Sequence, residues 1–152
     1  MKIKNETSAG GIVFKKSNVG LTSQVQWLVT QHSQHKGWVF PKGLIGDTNE
    51  NEKMEEAALR EVEEEGGVKA RIIYPTPIKV FYSYVWNDIE VHKTVYYFLM
   101  EYISGDPKNH DWEMMDAQFM DEEKAMSILS YPSDKEAFEK IKKVWNNLNN
   151  SN

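Results

Sequence analysis

Arg60-Glu61-Val62-Glu63-Glu64-Glu65-Gly66-Gly67-Val68 places four carboxylates and one guanidinium in six consecutive residues, directly before a glycine pair. The preceding run, Glu52-Lys53-Met54-Glu55-Glu56-Ala57-Ala58-Leu59, consists of strong helix formers, with Asn49 or Asn51 available as N-cap. One helix from about Glu52 to Glu65, stopped by the glycines, is therefore predicted. On it Glu61, Glu64 and Glu65 stand at i, i+3 and i+4 and share a face, while Glu63 points elsewhere. Each like-charge pair at this spacing costs roughly 0.2–0.5 kcal/mol, which Arg60 offsets only in part by pairing with Glu56 or Glu64. An acidic run is usually a solvated helix face. A face this crowded also suits a divalent cation, because hard cations take oxygen ligands.

Composition bounds the rest. The chain has 152 residues, of which 40% are apolar and 12% aromatic, enough for a core of its own. A single domain over residues 1–149 is expected, with 150–152 as a fraying tail. The formal net charge of −5 speaks against sequence-independent binding to a nucleic-acid backbone. With no cysteine, disulfides, thiolate nucleophiles and zinc–thiolate sites are excluded. His32, His35, His92 and His110 lack metal-ligand spacing and read mainly as surface residues, with His35-Lys36 bordering a cleft. The first residues have no apolar stretch of the signal-peptide kind and no apolar run is long enough for a bilayer, so a cytoplasmic chain with no membrane partner is expected.

Along the chain, Ser8–Phe14 leading into Lys15-Lys16 reads as a strand, and its glycines let other atoms approach closely. Ser17 to Ser23 reads as a turn, Val25–Gln31 as a second strand, and Trp38-Val39-Phe40 as a short one ending at Pro41. Ala70 to Trp86 is rich in β-branched and aromatic residues, but Pro75 and Pro77 demand a break or an edge position within it. Asn87-Asp88 reads as a hairpin turn before a long strand, Ile89 to Tyr102. Ser104–His110 reads as a plain loop, Ala117–Met120 as a last strand, and Asp121–Leu129 as a helix. Ser133-Asp134-Lys135-Glu136 has the form of a capping box before an amphipathic helix whose apolar face includes Ala137, Phe138, Ile141, Val144 and Trp145. The mixed order points to a mixed sheet flanked by helices.

The spacing of Glu52, Arg60-Glu61, Val62, Glu64-Glu65, Gly67 and Val68 resembles the back half of the Nudix box, the signature of hydrolases acting on nucleoside diphosphates linked to another moiety. The front half departs from it. Six positions before Glu52 stands Gly46, but Pro41-Lys42-Gly43 resembles the turn that opens the family's loop, which makes Gly43 the counterpart and the loop Leu44–Asn51 about three residues longer than usual. Gly46 also stands where the family has an acidic residue, and either Asp47 or Glu50 is available to replace it. The resemblance implies an α/β fold, an α/β/α sandwich on a mixed β-sheet, and a Mg2+ cofactor with Mn2+ as a substitute. Glu61, Glu64, Glu65 and the carbonyl of Gly43 would be metal ligands, with Glu64 or Glu61 as general base and Arg60 orienting the glutamates. Glu113 is the candidate for a further acidic ligand contributed by a distant loop.

Substrate is a separate question, because a fold does not determine it. Trp38–Gly43, Lys93–Met100 and Pro132–Lys140 resemble stretches of bacterial diadenosine tetraphosphate hydrolases. That implies a small nucleotide substrate, cleaved asymmetrically to ATP and AMP. Tyr84 would meet a nucleobase, and Lys42 and Lys93 would meet phosphates. Tyr82 shares a strand face with Tyr84 at i and i+2, and reads mainly as packing. Removal of pyrophosphate from RNA 5′ ends and sanitation of nucleoside triphosphates are the alternatives within the class. A non-catalytic nucleotide-sensing module is the alternative outside it, although Glu52, Glu61, Glu64 and Glu65 are all retained.

Overall fold

The computed structural model describes residues 1–19, 22–47 and 49–150. Strand β1 (Lys2–Val19) is the spine of an eight-stranded mixed sheet. It runs parallel to β7 (Ile89–Gly105) and antiparallel to β2 (Thr22–His32). Both strands adjoining the sequence-predicted turn at Ser17–Ser23 extend into it: Ser17 pairs with Gln24 and Asn18 with Ser23, because the ladder propagates past the apolar residues. Gly20 and Leu21 lie outside the described residues.

β1 and β2 are paired from Phe14/Trp27 outward, and in the other direction the sheet opens into a wedge filled by the segment after β2. β3 (Trp38–Val39) pairs with Gln31 and Thr30 of β2, and β4 (Lys42–Leu44) pairs with Gly10, Ala9 and Ser8 of β1. Pro41 sits at the change of partner, where its missing N–H costs nothing and its carbonyl accepts the Gly11 N–H at 3.2 Å. β4 falls in what reads from sequence as loop: it has only three residues and no alternating pattern, and long-range pairing makes it a strand.

The far side of β7 is shared by two strands in line. β5 (Val68–Ile72) pairs with its second half and β6 (Ile78–Trp86) with its first, with Pro75 and Pro77 in the break between them. The hairpin from β6 to β7 closes through Asn87 and Asp88, both at positive φ (48° and 60°), as a two-residue turn of that hand requires. β8 (Met114–Asp121) completes the sheet beside β2. A single 3-10 turn, Pro107–Asn109, interrupts the expected loop before it.

Helices cover both faces. α1 (Met54–Gly66) packs Ala57, Ala58 and Val62 against Ala9, Val13, Leu28, Phe98 and Met100. It starts two residues later than predicted, with Lys53 rather than an asparagine at its N-cap. α2 (Glu122–Ile128) is capped by Asp121, whose side chain accepts the Lys124 N–H. α3 (Pro132–Asn150) packs Ala137, Phe138 and Ile141 on the opposite face, where Phe138 meets Trp27 and Phe40 at ring separations of 5.2 and 5.5 Å. Burying a side chain of this kind contributes about 2–3 kcal/mol. The predicted capping box is displaced: the helix starts at Pro132, which tolerates the first turn, and Asp134 is buried inside. The structure is thus an α/β/α sandwich, and α3 is helical through Asn150, with Ser151 and Asn152 outside the described residues. Among the described residues no helix is long and apolar enough to cross a membrane.

Candidate active site

The wedge between β1 and β2 brings β4 against the last turns of α1. Gly43 makes room there for Glu61: a Cβ at this position would lie 2.1 Å from its carboxyl carbon and displace the side chain. The backbone N–H of Lys42 donates to Glu65 Oε1 at 3.1 Å. α1 is capped at its C-terminus by Gly67, in the left-handed region at φ 74°, whose N–H donates to the Glu63 carbonyl. One turn earlier the Glu64 carbonyl accepts the Asp111 N–H at 2.7 Å, and Ser33 donates through both N–H and Oγ to the Glu113 carbonyl, at 2.9 and 2.8 Å. The segment carrying Asp111 and Glu113 is thereby fixed to the end of α1 and the end of β2.

Arg60 organises the acidic cluster. Its Nε and Nη2 form a fork onto Glu52 at 2.7 and 3.1 Å, and its Nη1 reaches Glu61 at 2.7 Å and Glu64 at 3.2 Å. Glu56, the other partner considered for it, has no part in this network; the i+4 pair with Glu64 forms. Hydrogen bonding from Arg60 holds the Glu52 carboxyl below the usual range, and the guanidinium is correspondingly raised. Glu61 and Glu65 behave oppositely. Burial is the first cause for both, opposed by Arg60 at Glu61 and by Lys42 at Glu65, and it pushes them up to about 7 and about 8. Glu113 is also raised, by burial and then by Asp111, Glu64 and Asp47.

This donor set fits a hard divalent cation. It consists of oxygens, and burial lifts two of its carboxyls well above the ordinary carboxylate range, so added positive charge there is favoured. Among the described residues no three carboxylates or imidazoles are gathered into a ready cage, and the Arg60 guanidinium lies between Glu61 and Glu64. Glu64 is the most open of the three helix glutamates, with 43% of its side chain exposed. Glu63 is exposed, as its spacing predicts.

Beyond Lys42 the site becomes cationic and aromatic. Burial disfavours the Lys42 ammonium, but Tyr82, Asp134, Glu65 and Tyr131 together outweigh it and raise its pKa. Asp134 is itself buried and accepts the Tyr97 hydroxyl at 2.9 Å. Lys93 lies inside β7, flanked by Glu6 on β1 and Tyr82 on β6. Its ammonium is 3.7 Å from Glu6, and burial followed by repulsion from Lys42 lowers its pKa. Tyr82 and Tyr84 stack at 6.2 Å with rings 26° apart, which their i, i+2 relation foreshadows. Tyr82 also packs on the core, while Tyr84 is 42% exposed.

The structure therefore gathers Gly43, Arg60, Glu61, Glu64, Glu65 and Glu113 at one end and Lys42, Lys93 and Tyr84 at the other, joined through Lys42. Sequence reasoning missed Asp111 and Asp134 as neighbours of this site, and left Asp47 and Glu50 undecided. Asp47 is the one within electrostatic reach of Glu113. It also read the histidines as scattered, whereas His32 and His35 stack face to face at 4.3 Å, with Tyr131 Oη 2.9 Å from His35 Nδ1. Only the short His-x-x-His spacing hinted at this, because the loop that folds the two rings together has no regular structure.

Residues 7–141 match the NUDIX domain, and the chain belongs to that family. A Mycobacterium tuberculosis protein named MutT4 is 29% identical over 137 residues, 89% of this chain; the chain spans about half, 54%, of that curated relative. The fold is shared with the Ap4A hydrolase of C. elegans in a binary complex (TM-score 0.68, 21% identity, 92% of this chain and 97% of that one). It is shared also with the NUDIX domain of Shewanella oneidensis NrtR complexed with ADP ribose (TM-score 0.64, 18% identity, 95% and 88%). The E. coli dihydroneopterin triphosphate pyrophosphohydrolase is a further structural relative (TM-score 0.65, 16% identity, 92% and 97%).

Proposed function

We propose that this chain is a magnesium-dependent hydrolase of nucleotide phosphoanhydrides, with diadenosine tetraphosphate as its best substrate and ATP and AMP as products. The observation that carries the reading is the buried pair Glu61 and Glu65, the first against Gly43 and the second accepting the Lys42 N–H, with Lys42 leading from them to Lys93 and the tyrosine stack. Bound Mg2+, or Mn2+ in its place, would be held by Glu61, Glu64, Glu65, Glu113 and the Gly43 carbonyl, and supplies phosphate neutralisation and a more acidic water.

The chain's own groups do the rest. Glu64, the most open of Glu61, Glu64 and Glu65, accepts the proton of the attacking water, with Glu61 as the alternative base. Arg60 fixes the carboxylates of both, so the base does not swing away from the water. Lys42 and Lys93 balance the polyphosphate, and Tyr84 offers its ring to adenine. All four box glutamates are present and Arg60 clamps three of them, Glu52, Glu61 and Glu64, which favours a catalyst over a nucleotide sensor.

The test is a panel with magnesium: diadenosine tetraphosphate, nucleoside triphosphates, ADP-ribose and 5′-triphosphorylated RNA. The highest kcat/KM is expected for the dinucleotide. Turnover of another compound at higher kcat/KM overturns the substrate assignment, and no turnover of any overturns the hydrolase.

A further inference from the structure

The face of β6 that carries Tyr82 and Tyr84 continues to Trp86, at i, i+2 and i+4. A tryptophan there has no packing role to play, for Trp86 is 64% exposed on a sheet face. It is held firmly all the same, because it precedes the tight Asn87-Asp88 turn and pairs with Ile89. Between Tyr84 and Trp86 opens a hollow of about 310 Å³, floored by Ile89 and Val91 and bordered by Lys4 and Glu6. That volume is at the small end of ligand sites, which run from roughly 300 Å³ upward. Its lining is aromatic and aliphatic with two charged groups at the edge, the chemistry of a flat heteroaromatic ring rather than of phosphate.

Glu6 links this hollow to the catalytic track. Its carboxylate lies 3.3 Å from the Lys4 ammonium and 3.7 Å from Lys93, so one side chain borders both the hollow and the cation proposed to meet phosphate. A carboxylate accepts several hydrogen bonds and donates none when ionised. Toward a base in the hollow it discriminates: an exocyclic amino group gives it a donor, a ring carbonyl in the same place gives it repulsion.

We infer that the hollow between Tyr84 and Trp86 is the nucleobase slot, that Trp86 is its second aromatic wall, and that Glu6 selects bases bearing an exocyclic amino group. The inference deepens the proposed function and rests on it for the position of the phosphates. Adenine and cytosine present an amino group where hypoxanthine and uracil present a carbonyl, and are favoured accordingly. Neither Trp86 nor Glu6 takes part in the chemistry, so both act on substrate binding.

The experiment compares wild type, W86A, W86F and E6Q on diadenosine and diinosine tetraphosphates, and on ATP and ITP. W86A is expected to raise KM for the adenine compounds about tenfold with kcat nearly unchanged, in line with the loss of base–aromatic stacking. W86F is expected to recover most of that loss. Wild type is expected to prefer adenine to hypoxanthine by about tenfold, as a hydrogen bond to a charged acceptor allows, and E6Q to narrow the preference. An unchanged KM in W86A, or equal use of adenine and hypoxanthine by wild type, overturns the inference. If the dinucleotide proves a poor substrate while W86A impairs binding of ATP, the substrate assignment fails and the slot stands. If nothing is turned over, calorimetric titration of ATP and ITP into wild type and W86A in magnesium decides: weaker ATP binding by the variant upholds the slot, equal binding overturns it.

Discussion

Glu65→Gln should remove a large share of the pH dependence from the stability of the metal-free protein. Glu65 is 6% exposed and its carboxyl is pushed up to about 8, because burial penalises the anion more than Lys42 rewards it. In the unfolded chain the same group titrates near the ordinary glutamate value, about 4.3. Between those values the folded state keeps a proton that the unfolded state has lost, so stability falls as pH rises through the window. Below it the group is neutral in both states and contributes nothing; above about 8 the penalty is complete. Each pH unit is worth at most about 1.4 kcal/mol, so the passage from about pH 5.5 to 7.5 costs up to about 2–3 kcal/mol, or several degrees in Tm for a chain this size. Glu61, at about 7, contributes in the same direction over the lower part of the range. Glutamine keeps an oxygen for the Lys42 N–H and nearly the same volume, but it cannot ionise. Thermal unfolding in chelator at the two pH values reads the difference: the wild type should lose stability relative to the variant as pH rises. Magnesium should restore the wild type at the higher pH and help the variant less, because metal binding takes the place of the proton. Parallel pH profiles for the two proteins would refute the assignment of the buried proton to Glu65.

Three further expectations follow from the same contacts. Glu64→Gln should leave Tm within about a degree, since the side chain is 43% exposed, and lower kcat at least about a hundredfold; a rate within twofold of wild type in a steady-state assay would remove Glu64 from the chemistry. Arg60→Met should destabilise by about 3 kcal/mol in urea unfolding, because the Glu52 and Glu61 side chains, 6% and 7% exposed, lose their counter-ion; a loss below about 1 kcal/mol would show the network to be worth no more than a surface pair. Tyr97→Phe should cost about 1–3 kcal/mol by stripping the buried Asp134 of its hydroxyl donor, with KM for a polyphosphate substrate rising through Lys42; an unchanged Tm would mean that Asp134 finds another partner.

What the sequence disclosed and what it withheld have separate physical origins. The acidic helix was legible because its chemistry is local: helix formers, a glycine stop and a 3.6-residue period place Glu61, Glu64 and Glu65 together, whatever the rest of the chain does. The Tyr82–Tyr84 pair was legible for the same reason, at the period of a strand. β4 and the Asp134–Tyr97 bond were not, because each joins residues far apart in the chain and no local period reports which distant partner they meet. The serine of Ser133-Asp134-Lys135-Glu136 reads as a cap from local pattern alone, but a buried tyrosine hydroxyl from β7 claims the next residue and tertiary demand overrides the motif. The stacked histidines belong to the same class: a loop conformation, not a period, brings them into register.

The loop after Gly43, which the resemblance to the Nudix box makes about three residues longer than usual, is tied to the acidic cluster at both ends. Glu52 closes the loop at its base: it accepts the Gly46 N–H at 3.0 Å and both arms of the Arg60 fork, while Arg60 also reaches the Leu44 carbonyl at 3.3 Å. The two ends of the insertion are therefore fixed to the same guanidinium that positions Glu61 and Glu64. Extra residues between fixed ends add only a slowly growing closure entropy, so length is accommodated outside the clamp. Asp47, just past the lower anchor, is the part of the loop that the field of Glu113 registers. Residues between these anchors can therefore vary without altering the spacing of the carboxylates, while Asp47 places one more acidic group within electrostatic reach of Glu113.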